Sequence, residues 1–387
     1  MAFNSQTFQS ICEERGLSIN ELHSITKISL NTLSRALDGD KTPTKNQVFK
    51  LADLLAVPAY AFFISEYKVE DPKIIDFRSK NPRPLKFGRN TPHFTKIFQL
   101  RDFLAELYIR LDLDAPQKLL SEQQDENPEQ FATAIGNELN ISEIRNNSKD
   151  KREFYKKFRD AIEALGVYTI QNHYFSQDID GFAIYHQAFS SNLIYVNSSK
   201  RNHGAKSFTL AHELAHVLGR RSGISNNYQN DNDVERYCNI FATSLLLPRS
   251  DVVNFIDKRR LRFNDYDSAI ESSDILAKHF KCSVSAALIR AAELGYASRS
   301  YYITFSKNFG ATDFLDTFKQ KGGGANEEGP EPGIIDLAML GKRATGILSE
   351  GIERKITDHF EIFKKTGLSR KRIDGLLHIT KKQDISA

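Results

Sequence analysis

Only three cysteines occur in 387 residues, at Cys12, Cys238 and Cys282. They are too few and too scattered for a disulfide scaffold or a cysteine-built zinc knuckle, and they suit a reducing, cytoplasmic compartment. Long apolar runs are missing as well. Nothing approaches the roughly 18 residues that a membrane-spanning helix needs, so no membrane partner is expected. The opening MAFNSQTFQS has neither a basic region nor an apolar core, and a secretory signal is not expected. A strong net charge is absent too: the balance is +4, which argues little about partners by itself. No internal repeat stands out. What remains, with 40% hydrophobic and 26% charged residues, is an ordinary globular chain long enough for two or three domains.

The charge is unevenly spread. From Lys73 to Lys96 seven basic residues face one acid, Asp76, and Pro72, Pro82, Pro84 and Pro92 deny the stretch a regular helix. Residues 67–94 therefore read as an extended basic connector, either a solvated linker or a strap along nucleic-acid phosphates. Before it, residues 1–66 hold four short helical patterns. One begins at Ser18, with Glu21 completing a capping box; another runs from Ser29 to Gly39. Four helices in so short a span, with a tight turn between the second and third, have the layout of a helix-turn-helix module. Past the connector, FTKIFQLRDFLAELYIRL is an amphipathic helix. GVYTIQN, GFAIYHQ and NLIYVNS predict three strands between 166 and 198. Helices return on either side of Pro248 and on to about residue 300; KGGGANEEGPEPG (321–333) reads as a flexible linker, and 334–387 as a small helical appendage. The expected fold class is α+β and mostly helical.

Within FTLAHELAH (208–216) lies the pattern His-Glu-x-x-His, as His212, Glu213 and His216. Histidines four apart share a helix face, offset by about 40°, so two imidazoles can reach one cation while the glutamate aims at a water on it. A chance match in a chain this long is on the order of one per cent, so context has to carry the case. Leu210, Leu214, Val217 and Leu218 supply an apolar face apart from the histidines, and Glu235, 19 residues after His216, offers a third ligand. Two imidazoles and a carboxylate leave a position open for water, the pattern of catalytic rather than structural zinc. Manganese or iron would also accept these ligands. Glu213 is then the general base. The oxyanion stabiliser is left open among His203, Tyr195 and Tyr237. Cys238 is expected in the core, and His173 and His186 are expected to be structural or at the surface.

RNHGAKSFTLAHELAHVLG followed by DNDVERYCNIFATSLLLP resembles the ImmA/IrrE family of HExxH metallopeptidases. That family's second motif, Glu-x-x-x-Asn-x-Phe-Ala-x-x-Leu-Leu-x-Pro, is met at Glu235, Asn239, Phe241, Ala242, Leu245, Leu246 and Pro248. Ala215 stands where glycine is common, and Cys238 where alanine is usual. The resemblance implies a zincin-like domain over 95–300, with its core at 150–250. It assigns ligand roles to His212, His216 and Glu235 in a gluzincin-like set, the base role to Glu213, and narrow cleavage of a repressor or antitoxin protein during stress or mobile-element induction.

Residues 5–60 resemble the XRE family of helix-turn-helix modules, which implies that the third helix enters the major groove of double-stranded DNA. Ser29, Leu30, Asn31, Ser34 and Arg35 are expected on its exposed face, with Lys41 and Lys45 near it. Arg35 could read a guanine and Asn31 an adenine. Six Lys/Arg against seven Asp/Glu in residues 1–66 show that the module is not basic overall. The expected whole is a DNA-binding regulator with a zinc-dependent endopeptidase, working as a homodimer if the operator is two-fold. The competing expectation keeps the DNA-binding half and makes the second domain a metal or ligand sensor that cleaves nothing.

Overall fold

The computed structural model describes residues 2–69, 75–76, 83–84, 88–114, 127–175, 179–187, 191–199, 202–225, 233–309 and 333–384. Half of the expected basic connector lies outside them. Its described parts include two two-residue strands, β1 (Ile75–Asp76) and β2 (Arg83–Pro84), and the start of a regular helix at Thr91. Pro92 does not deny that helix as expected, because in the first turn its missing N–H has no intrahelical partner to lose. The expected linker at 321–333 lies outside them apart from Gly333. The chain divides into two compact units, residues 1–75 with 83–102, and residues 76–82 with 103–387. It is a mostly helical α+β protein.

In the first unit four helices follow in quick succession: α1 (Ser5–Arg15), α2 (Ile19–Thr26), α3 (Leu30–Leu37) and α4 (Lys45–Leu55). Each begins at a residue whose short polar side chain accepts from the first-turn N–H groups, Asn4, Ser18, Ser29 and Thr44 in turn. The capping box of Ser18 and Glu21 forms as the sequence predicts. Phe8, Ile11, Leu22, Leu33, Val48, Leu51, Leu55 and Phe62 make a common core, each such side chain contributing about 1.5–3 kcal/mol on burial.

The second unit takes in the end of α5 (Thr91–Arg110) and is centred on a sheet. The three predicted strands are present as β3 (Tyr168–Asn172), β4 (Gly181–Ile184) and β5 (Leu193–Asn197), joined by a short β6 (Gly223–Ser225). The spatial order is β6-β4-β5-β3. β3 runs parallel to β5, with Tyr168 opposite Leu193; β4 is antiparallel to both β5 and β6, with Phe182 opposite Tyr195 and Ile224. Helices α6 (Pro128–Glu138), α7 (Ile141–Asn146), α8 (Lys151–Ala164), α9 (His203–Leu218) and α10 (Asp233–Leu246) surround it. Then come α11 (Arg249–Arg259), α12 (Tyr266–Phe280), α13 (Val284–Glu293) and α14 (Arg299–Phe309). α9 packs on β4 and β5 with α8 and α10 beside it. It is buried on nearly every side, His face included, so the separate apolar face expected from sequence is only part of what it hides.

The helical tail comprises α15 (Ile334–Glu353), α16 (His359–Thr366) and α17 (Arg370–Asp384), and it is docked rather than free. α15 lies against β3 and α8. The Arg159 guanidinium of α8 donates to the carbonyls of Ala338 (2.5 Å) and Met339 (3.2 Å), while the buried Glu163 carboxylate accepts from the backbone N–H of Arg343 (2.9 Å). These bonds need a break in α15, and Gly341 provides it at φ 81°, ψ 168°. A Cβ there would fall 1.9 Å from Glu163 Oε1. Gly341→Ala should therefore lower stability by about 1–3 kcal/mol or more through backbone strain and the displaced carboxylate. Urea unfolding checks this, and an unchanged midpoint would show that the tail does not depend on this contact.

Candidate metal centre

α9 begins where the Asn202 side chain accepts from the N–H of Gly204 (2.8 Å) and Ala205 (3.3 Å). From that fixed start its third and fourth turns bring His212 and His216 onto one face, opposite α10. Glu235, in the first turn of α10, faces them. The two imidazole Nε2 atoms are 3.2 Å apart; Glu235 Oε1 is 3.1 Å from His216 Nε2, and Oε2 is 3.4 Å from His212 Nε2. His212, Glu213, His216 and Glu235 have no solvent exposure.

These distances test whether the residues suit a metal. Ligands at about 2.0–2.1 Å in tetrahedral geometry stand roughly 3.3–3.4 Å from one another. The two imidazole nitrogens are separated by about that much, and each has one oxygen of the Glu235 carboxylate at a similar distance, Oε1 at His216 and Oε2 at His212. Two imidazole nitrogens and a carboxylate buried this close together otherwise make a costly arrangement. The second ring nitrogen of His212 meets Asn239 Oδ1 at 2.9 Å. With the proton on Nδ1, that contact leaves the Nε2 lone pair pointing at the shared space. The residues fit a divalent ion.

Electrostatics agree with this at Glu235 and His216 and oppose it at His212. Burial opposes the charge of Glu235, but the hydrogen bonds and charges of His212 and His216 outweigh it and hold the carboxyl at about 2. Burial pushes both imidazoles toward the neutral form. It prevails at His216, whereas at His212 the carboxylates of Glu235 and Glu213 prevail. A metal ligand set needs the carboxylate ionised and the imidazoles neutral.

Glu213 lies on the sheet side of α9. A Cβ on Gly181 of β4 would fall 2.9 Å from Glu213 Oε1 and 2.8 Å from the Tyr195 carbonyl. Glycine there lets the strand backbone approach the carboxylate. Cys238 lies closer to the centre than the sequence suggests: its sulfur and the histidine nitrogens are all within 4.8 Å of one another. It is also part of the main core, and burial, then the Glu235 and Glu213 charges, raise its thiol well above the usual range. Glu235 adds two oxygens at 3.1 and 3.4 Å from the same nitrogens.

The open oxyanion candidates separate. Tyr195 is buried and donates to Asn172 Oδ1 at 2.7 Å, so it is committed to the sheet. His203 sits in the first turn of α9, nine residues from His212, with its ring 5.9 Å from Tyr155. Burial, then Lys206 and Arg152, lower its pKa to about 4. Tyr237 stays near, partly buried two residues beyond Glu235. His173 and His186 are exposed. Sequence reasoning passed over Asn239, although its motif position, one turn after Glu235, was the available signal. Nothing in the sequence marked Gly181.

In the first unit Ser29 caps α3, and Leu30, Asn31, Ser34 and Arg35 are exposed, while Thr32, Leu33 and Ala36 are buried. Lys41 and Lys45 are exposed; Lys41 Nζ donates to Thr32 Oγ1 at 3.4 Å, and Lys45 sits 5.9 Å over the Phe49 ring.

Residues 162–292, about a third of the chain, match the Peptidase_M78 family model, described as the IrrE N-terminal-like domain. The match takes in α9, α10 and the whole metal-fitting cluster. No curated protein matches the chain. Among the described residues no helix is long and apolar enough to cross a membrane.

Asn239→Ala should weaken metal affinity about 10–100-fold, because His212 loses the contact that sets its tautomer and orientation. A competition titration with a chromophoric chelator checks this. Unaltered affinity would mean that packing alone orients the ring.

Proposed function

We propose that this chain is a DNA-binding regulator carrying a metal-dependent endopeptidase that cleaves a specific repressor or antitoxin protein. The peptidase reading rests on one observation above all: two imidazole nitrogens 3.2 Å apart, each within 3.4 Å of an oxygen of the Glu235 carboxylate, with a further carboxylate on the residue after His212, all inside the segment similar to a peptidase family.

His212, His216 and Glu235 would hold the ion, zinc before manganese or iron given two imidazoles and one carboxylate. When bound, the metal would polarise a substrate carbonyl and acidify a water. Glu213 would serve as the general base and acid, accepting a proton from the attacking water and passing one to the leaving amine. The apolar walls of α8, α10 and the sheet keep bulk water away, which strengthens each of these electrostatic contacts. Asn239 keeps His212 aligned throughout.

The DNA-binding half rests on the exposed face of α3, which carries Asn31 and Arg35, the side-chain types that read adenine and guanine bidentately. A recognition helix of eight residues covers little surface, so a homodimer on a two-fold operator would supply the remaining affinity.

Two measurements test the two halves. Glu213→Gln should keep about one metal per chain by elemental analysis while abolishing cleavage. His212→Ala and Glu235→Ala should lose the metal as well. Cleavage is read by mass-spectrometric labelling of new protein N termini in cells expressing wild type or Glu213→Gln. Identical N termini in both would leave a metal or ligand sensor in place of a peptidase. For the DNA half, Arg35→Ala should cost about 1–3 kcal/mol on a selected duplex and relax the preference at one base pair. A uniform loss over all sequences would reassign Arg35 to a phosphate contact.

A further inference from the structure

The turn that joins α2 to α3 recurs at the other end of the chain. In the first unit Thr26 ends α2, Lys27 adopts φ 60°, Ile28 is buried and Ser29 opens α3. In the tail Thr366 ends α16, Gly367 adopts φ 75°, Leu368 is buried and Ser369 precedes α17. The hydrogen bonds coincide as well. Thr26 Oγ1 donates to the Leu22 carbonyl (2.6 Å) and accepts from Ile28 N–H (3.3 Å). Thr366 Oγ1 donates to the Ile362 carbonyl (2.7 Å) and accepts from Leu368 N–H (3.1 Å). Leu33 N–H donates to Ser29 O, and Ile373 N–H to Ser369 O.

The burial pattern of the second helix follows the same register. Leu33 and Ala36 point inward in α3, and Ile373 and Leu376, at the same distances from the serine, point inward in α17. Leu30, Asn31 and Ser34 are exposed, and so are Arg370, Lys371 and Asp374. A third version of the turn, Lys281–Cys282–Ser283 between α12 and α13, serves as a contrast. There α9 presses on the turn, since a Cβ on Gly204 would lie 2.6 Å from Ser283 N, and Val284, Ala286, Ala287 and Leu288 of the second helix are buried. That copy is a packing element. The C-terminal copy also packs on one side but leaves Arg370, Lys371 and Asp374 of its second helix exposed.

We propose that the α16–α17 pair is a second duplex-DNA contact, with Arg370 and Lys371 at the start of α17 meeting phosphates or base edges. Charge selects this partner. From His359 to Asp384 there are seven Lys/Arg against three Asp/Glu, whereas residues 1–66 hold six against seven. Lys364 and Lys365 are exposed at the end of α16. Asp374, the acid on the presented face, is engaged by His359 at 2.8 Å and by Arg370 at 3.9 Å. The helix is held firmly from behind. Buried Asp336 accepts from Arg372 Nε at 3.0 and 3.2 Å, and Gly333 lies so close to Gly375 that a Cβ would clash at 2.5 Å. Phe360 and Phe363 are exposed on α16, so contact with a protein instead of DNA is the outcome that the test must separate. The proposal goes beyond the function proposed above and stands even if the N-terminal module binds no DNA.

The test is fluorescence anisotropy of the full chain on a mixed-sequence duplex of about 40 base pairs over a salt series. R370A/K371A should weaken binding at low salt by about tenfold and reduce the slope of log affinity against log salt by about 2, near 0.9 per phosphate contact. The charge-keeping pair R370K/K371R should restore both. Arg372 is left intact, and equal melting temperatures show that the variants fold. Unmoved affinity and slope in R370A/K371A, with binding lost in N31A/R35A, would overturn this contact, point to a protein partner and spare the N-terminal reading. Loss in R370A/K371A with N31A/R35A unaffected supports this contact and sinks that reading. A wild-type chain that binds no duplex overturns both.

Discussion

Four ionisable side chains of α9 and α10, His212, Glu213, His216 and Glu235, have no access to solvent, and the second unit is organised around making that tolerable. A buried, uncompensated charge costs several kcal/mol even after relaxation. Here the compensation is mutual: Glu235 bridges both imidazoles and Asn239 takes up the remaining nitrogen of His212. The arrangement works only if α9 and α10 keep their register to within a fraction of an ångström. This explains why α9 is enclosed on so many sides, and why Gly181 and Gly204 stand where strand and turn backbones press against it. The core does more than stabilise. It fixes the spacing of two imidazole nitrogens and the carboxylate that bridges them.

Much of that centre was legible in the sequence. Helical periodicity alone puts His212 and His216 together, and the spacing to Glu235 fits the next helix. The three strands could be read from β-branched and aromatic runs because they are short, buried and bounded by Gly and Asn. Less legible were side chains whose role depends on a second element. Asn239 is an ordinary polar helix residue until α10 lies against α9. Cys238 was expected in the core and is there, but only the packing brings its sulfur near the histidines as well. The docking of the tail was out of reach altogether, since Arg159 and Glu163 meet backbone groups some 180 positions away and periodicity carries no such information.

The repeated turn escaped sequence reading for a related reason. Its three versions share a left-handed residue, a buried apolar one and a serine, yet the left-handed residue is lysine twice and glycine once. No fixed period separates them. What recurs is a backbone conformation and a burial pattern, and several residue types satisfy both. The same turn then serves different ends according to what lies beyond it. Where the next helix is apolar it vanishes into the core, as α13 does; where it is polar and basic it is presented outward, as α17 is.

Complete burial of the metal-fitting cluster also bears on the kind of proteolysis proposed. A peptidase that digests broadly needs a groove in which any extended chain reaches the general base. Glu213 and all three candidate ligands have no solvent exposure, so on the proposed reading a substrate would have to displace what covers them and supply the free energy for doing so from its own contacts. Only a chain with a matching surface elsewhere could do that, and selectivity would then follow from remote binding instead of from the residues beside the scissile bond. A regulator that meets its target on DNA would have such remote contacts available, since an operator bound by both proteins raises the effective concentration of one for the other without any new protein interface.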